Sequence, residues 1–158
     1  MSDTSNTTIP VRKFILVISL LHIIIGITAI NLAIFAFVGN CQKSGKFAGA
    51  WGSVASLACA SLGLALAVET RRKFVLVYIS LSAFSVVLSA FELAMESVGL
   101  EMDHYFCQTA KDGGFMRREC KLECTRVHFY IITTAVATLV LCLFSSLILS
   151  HSLRGLSD

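Results

Sequence analysis

The sequence predicts an all-α, polytopic membrane protein: a left-handed bundle of four transmembrane helices carrying a small disulfide-stapled extracellular loop. Three observations predict it. Four apolar runs, 14–38, 47–68, 74–98 and 127–149, fill most of the 158 residues, and each reaches the roughly 20 residues needed to cross ~30 Å of hydrocarbon. The composition, 56% hydrophobic against 15% charged, belongs to the same class. Four cysteines lie between the runs on one predicted face and none on the other. The chain is therefore read as a single four-span membrane domain over 1–158.

The first run follows Arg12 and Lys13. It is too long for the roughly 7 to 15 apolar residues of a signal peptide, so it is expected to stay as a helix. Pro10 lies just before it and is the only proline, so no span should be kinked. Ser19, His22, Gly26, Ala29, Ala33 and Ala36 recur at spacings of three and four and form one narrow seam.

In the second run, Ala48, Gly52, Ser56 and Ala60 make one row of small residues and Ala55, Cys59, Gly63 and Ala67 another. Small residues four apart let helix backbones approach closely, so this helix should be gripped on two sides. Tyr78, Ser82, Ser85, Ser89, Glu92 and Glu96 stripe the third run, and Thr134, Thr138, Cys142 and Ser145 the fourth. These patterns predict bundle seams glued by small and hydroxylated side chains; a water-filled path lined by the third stripe is the alternative. Cys59 and Cys142, inside spans, read as small apolar residues.

Ionisable groups inside spans are costly and face a bundle interior or a partner. Glu92 lies about 27 Å along helix three, near the outer edge of the hydrocarbon, with Asn31 of helix one at a similar depth. Glu92 is expected to hydrogen-bond Asn31, Trp51, Thr133 or Thr134, or to meet another protein. Glu96, one turn further out, is expected to be wet. His22 lies deeper, and Ser85 or Ser145 are its expected partners.

Basic residues nearly tie between the faces, six against seven. Density favours a cytoplasmic basic turn: Arg71-Arg72-Lys73 abuts two spans, whereas the third loop mixes its basic residues with Glu101, Asp103, Asp112, Glu119 and Glu123. Cysteine placement breaks the tie. Cys41 in the first loop and Cys107, Cys120 and Cys124 in the third suggest two disulfides on an oxidising face, which places both termini in the cytoplasm. Four cysteines allow three pairings; Cys120 and Cys124, one helical turn apart, would more readily reach Cys41 and Cys107 than each other.

The loop 99–126 is expected to form a compact extracellular cap, with Lys111 to Gly114 as a turn and 115–126 as a short helix. It is the default surface for recognition. A metal site from His104, Cys107, Cys120 and Cys124 is conceivable by residue type. An oxidising face favours disulfides, however, and the spacing matches no familiar zinc pattern, so no metal and no cofactor is expected. Four-span thiol oxidoreductases of the vitamin K epoxide reductase and disulfide-forming kinds use C-x-x-C, whereas this chain has Cys120-x-x-x-Cys124. The segments before Arg12, at 69–73 and after Leu149 are expected to be too short for a soluble domain, so the work falls to the bundle, the cap or a partner.

Leu21-His22-Ile23-Ile24-Ile25-Gly26, Trp51-Gly52-Ser53 and Glu69-Thr70-Arg71-Arg72-Lys73 carry a resemblance. With a short first loop, a basic second turn and a longer cysteine-bearing third loop, the chain resembles the membrane-spanning four-domain subfamily A, the family of the B-cell tetraspan antigen and the Fc-receptor beta chain. Tetraspanins differ in carrying a Cys-Cys-Gly signature, and claudin-like proteins in a long first loop with two cysteines. The glutathione-handling four-span enzymes carry an arginine-rich face and a glutamate and asparagine motif that this chain does not.

The resemblance implies a plasma-membrane accessory subunit or organiser. The sequence is accordingly read as a non-enzymatic tetraspan protein that associates laterally with a channel, receptor or adhesion complex, or with itself. A self-assembling channel or transporter subunit is the first alternative and a membrane thiol oxidoreductase the second.

Overall fold

Helices account for nearly everything the computed structural model describes, namely residues 8–38, 41, 48–68, 72–111 and 122–154, with side chains over 12–38, 41, 50–68, 73–102 and 124–151. Helix α1 spans Thr8–Val38, α2 Ala48–Val68, α3 Arg72–Lys111 and α4 Leu122–Arg154. All four are long and apolar enough to cross a membrane. Helix α1 starts earlier than the hydropathy suggests and takes in Pro10. The proline sits in the first turn, where its missing N–H breaks no intrahelical bond.

The expected cap is largely helix. Residues 99–111 continue α3 and 122–126 open α4, so only 112–121 separates the two, and that stretch lies outside the described residues. Gly99 is buried inside α3 rather than ending it.

Consecutive helices run antiparallel, and α4 closes the ring against α1. The pairing is visible in individual contacts. Ser56 Oγ donates to the His22 carbonyl at 3.0 Å between α1 and α2; Cys59 Sγ meets Ser85 Oγ at 3.2 Å between α2 and α3; and His128 meets Glu96 between α4 and α3.

The bundle is inside out by the standard of a water-soluble protein. Ile24, Phe35, Trp51, Val54, Phe84, Val87, Phe91, Phe129 and Leu147 are exposed, whereas Ser19, His22, Ser56, Ser82, Ser85, Ser89, Glu92, Glu96 and His128 are buried. Such a surface suits apolar surroundings of the kind a bilayer offers. The small-residue seams are where the spacing puts them: Ala29, Ala33 and Ala36 of α1 and Ala55, Ala60 and Ala67 of α2 are all buried.

Each end has its own fastening. At one end Cys41 and Cys124 form a disulfide, packed with Ala36 and Ile131, and the Cys41 amide donates to the Ala36 carbonyl at 3.1 Å to close the end of α1. At the other, Ile15, Leu66, Ala67, Val75, Tyr78 and Leu149 form an apolar cluster. The Arg12 guanidinium there donates to the Ala67 and Val68 carbonyls and caps α2, a favourable placement for a cation at a helix C-terminus. Of the other loop cysteines, Cys107 lies in α3 with its side chain outside the described residues, and Cys120 lies outside them altogether.

Candidate functional site

The chemistry of this chain is concentrated along the bundle axis. The α3 stripe supplies most of it, because residues three and four apart from Tyr78 to Glu96 share the face turned toward the other helices. From one end to the other the axis carries three polar levels.

The level nearest the disulfide holds Glu92, Glu96 and His128. The Glu96 Oε2 and His128 Nδ1 atoms are 2.5 Å apart and both side chains are fully buried. Glu92 is 2% exposed and lies against Gly52 of α2. A Cβ on residue 52 would overlap the Glu92 carboxylate, so glycine there lets the carboxylate lie against α2 without displacement. Glu92 Oε1 and Glu96 Oε1 are buried without a hydrogen-bond partner among the described residues. A buried acceptor with no donor costs about 1–3 kcal/mol, so two at one level mark a place where a proton or a cation would be stabilising.

The middle level joins His22 of α1, Cys59 and Ser56 of α2, Ser85 of α3 and Cys142 of α4. His22 Nδ1 lies 3.0 Å from the Ile18 carbonyl of its own helix, and Nε2 lies 3.4 Å from Cys142 Sγ. The third level holds Ser19, Gly63 and Tyr78. Ser19 Oγ donates to the Ile15 carbonyl at 2.8 Å and occupies the space that a side chain on residue 63 would need.

Several expected partnerships differ. Asn31 faces outward and donates to the Ile27 carbonyl at 2.9 Å, Trp51 is 61% exposed, and Thr133 and Thr134 bond the Phe129 and Ile131 carbonyls of their own helix. None of them turns to Glu92, because Gly52 leaves room for that carboxylate beside the α2 backbone. Glu96 is dry rather than wet, since α3 and α4 pack on past the hydropathy boundary and carry the shielded interior outward with them. His22 meets Cys142 rather than Ser85 or Ser145.

His128 is the functional-site residue that sequence reasoning missed. Its signal is its spacing: His128, Ile131, Ala135, Thr138, Cys142, Ser145 and Leu149 form one buried stripe of α4. In an antiparallel pair that stripe sets His128 opposite the outer end of the α3 stripe. Cys59 and Cys142, read as small apolar residues, both contact polar atoms.

The close packing makes a graded prediction. Gly52→Ala is expected to cost about 1–3 kcal/mol, because the overlapping group is a carboxylate held between helices. Gly26→Ala is expected to cost less. Its added methyl would meet Leu57 Cγ at 2.9 Å and Cδ2 at 3.0 Å, atoms of a side chain that can turn away. Resistance to denaturing detergent, measured for both variants in the same mixed micelles, checks the order.

Fold and site together define a four-helix bundle with a polar, partly acidic interior and an apolar exterior. Comparison with family models, with curated proteins and with solved structures finds no match to this chain.

Proposed function

We propose that this chain is a non-enzymatic tetraspan protein of the plasma membrane that associates laterally with a channel, receptor or adhesion complex. The observation carrying the reading is the division between interior and exterior. Two histidines, two glutamates and a row of serines are buried within one chain, while large apolar and aromatic side chains dominate the outward surface of all four helices. A subunit donating one wall to a shared pore would turn a polar stripe outward; here the α3 stripe is occupied by its own neighbours. Phe35, Phe37, Trp51, Phe91, Phe129 and Tyr130 are exposed toward the disulfide end, as in an interfacial aromatic belt.

The same features support an orientation. The Cys41–Cys124 bond requires an oxidising face. The helix order sets the helix ends nearest the termini opposite the disulfide, which supports the reading that both termini are cytoplasmic. In the cytoplasm the sequon Asn6-Thr7-Thr8 stays unmodified; glycan attachment there in cells would reverse the assignment. Cys124 bonds Cys41, 83 residues away in the chain, which favours a staple over a thiol-exchange centre. The resemblance to the membrane-spanning four-domain subfamily A carries the same expectation of an accessory or organising role.

One observation favours a second reading. The unpartnered oxygens of Glu92 and Glu96 beside His128 suit a proton or cation held in the interior, as in a transporter. The two readings separate in proteoliposomes of the purified chain. Lateral association predicts no cation or proton flux above that of empty vesicles. Flux that disappears in Glu92→Gln would establish the transporter reading.

A further inference from the structure

The middle level of the bundle holds a set of ligand atoms that the accessory role does not use. His22, Cys59 and Cys142 come from three different helices, all three are fully buried, and their nitrogen and sulfur atoms lie within 4.8 Å of one another. Two features go beyond proximity. The His22 Nδ1–H donates to the Ile18 carbonyl at 3.0 Å, which fixes the tautomer and leaves the Nε2 lone pair directed at Cys142 Sγ, 3.4 Å away. Holding the second ring nitrogen by a backbone carbonyl is how metal-ligating histidines are oriented. On the α3 side, Ser85 Oγ lies 3.2 Å from Cys59 Sγ, and Ser82 Oγ, one turn away on the same face, is buried with no hydrogen-bond partner among the described residues.

We infer that His22, Cys59 and Cys142 bind a zinc(II) ion in the middle of the bundle, with a serine hydroxyl of α3 completing a tetrahedral set. The dimensions agree. Zinc takes thiolate at about 2.3 Å and imidazole at about 2.0–2.1 Å, so neighbouring ligand atoms in a tetrahedral site stand ~3.5–3.8 Å apart. The His22 to Cys142 separation is already that close, and the remaining pairs need a shift of at most about 1 Å.

Charge balance selects the ion. Each thiol gives up its proton to bulk water as the helices assemble around the ion, before the site is enclosed, and two thiolates, one neutral imidazole, one neutral hydroxyl and Zn²⁺ sum to zero. Copper(I) with the same thiolates would leave a net negative charge far from water, which is heavily penalised in such surroundings. The ion would tie α1, α2 and α4 together at mid-depth, between the Arg12 cap at one end and the disulfide at the other.

Elemental analysis of the full chain, purified in detergent without chelator, tests the inference. The expected result is close to one zinc per chain, falling to background in Cys59→Ser and in Cys142→Ser and unchanged in Cys107→Ser. Retention of helicity and of the Cys41–Cys124 bond shows that the variants are folded. Should either serine variant fail to fold, the wild-type chain produced in cobalt-supplemented cells gives the answer, through the thiolate-to-cobalt charge-transfer absorption expected of a tetrahedral site. Absence of zinc from the wild-type chain, copper in its place, zinc that survives loss of both thiols, or recovery of Cys59 and Cys142 joined in a disulfide would each overturn the assignment.

Discussion

His128→Ala is expected to destabilise the bundle by about 3–5 kcal/mol, the largest effect of any single substitution considered. The Glu96 side chain would keep its buried position between α3 and α4 and lose the imidazole that contacts its Oε2 at 2.5 Å, while its Oε1 is already without a partner. Breaking a buried pair from one side leaves an uncompensated polar or charged group, and that residual group carries most of the cost. Glu96→Gln should be milder, at roughly 1 kcal/mol, because an amide can still hydrogen-bond the ring. Replacing both residues by leucine should restore stability to near that of the parent chain or above it. Detergent-unfolding midpoints for the three variants test the series. If His128→Ala and the double leucine variant were equally destabilised, the pair would not be acting as a pair.

Removing the disulfide is the second large effect. Cys41 and Cys124 are separated by 83 residues, so the bond closes a loop containing most of α1's neighbours, all of α2 and all of α3. Chain-entropy reasoning gives about 4–5 kcal/mol for a loop of that size in a freely unfolded chain. A denatured state that keeps its helices in a micelle or bilayer is already restrained, so Cys41→Ser is expected to cost about 2–4 kcal/mol. Cys41→Ser and Cys124→Ser should be equivalent, and the double variant no worse than either. Additive losses would mean that each cysteine contributes through something other than the shared bond.

Much of this architecture is legible in residue spacing. Among the described side chains, the rows of alanine, glycine and serine in the first two runs and the Tyr78 to Glu96 stripe in the third are buried where their three-and-four spacing puts them, because in a helix spacing decides which residues share a face. The same rule excludes Asn31 from the seam. It stands two residues, about 200°, from Ala29, and it does face outward. Depth alone would let Asn31 meet Glu92; angle decides otherwise.

Hydropathy boundaries misplace the polar ends of the helices. Residues 99–111 and 122–126 are too polar to count as span yet continue the helices, and for that reason Glu96 is dry and His128 is a core residue. Pairings across the bundle depend on which helices are neighbours, and no single helix encodes that. Cys41 meets Cys124 because α4 closes the ring against α1, and His22, Cys59 and Cys142 converge only once three helices are assembled. Gly52 illustrates the limit most plainly. Its row marks it as a packing glycine, but only the fold reveals that the packed group is the carboxylate of Glu92.

The lateral-association reading is tested most directly by isolating the tagged full-length chain from its native membranes in mild detergent and identifying what remains bound at stoichiometric amounts. The expected result is a channel, receptor or adhesion protein in fixed ratio to the chain, lost when the outward aromatic residues Phe84 and Phe91 of α3 are replaced by alanine and retained in Glu92→Gln. Recovery of the chain alone, together with Glu92-dependent flux in vesicles, would contradict it and make the buried carboxylates the working centre.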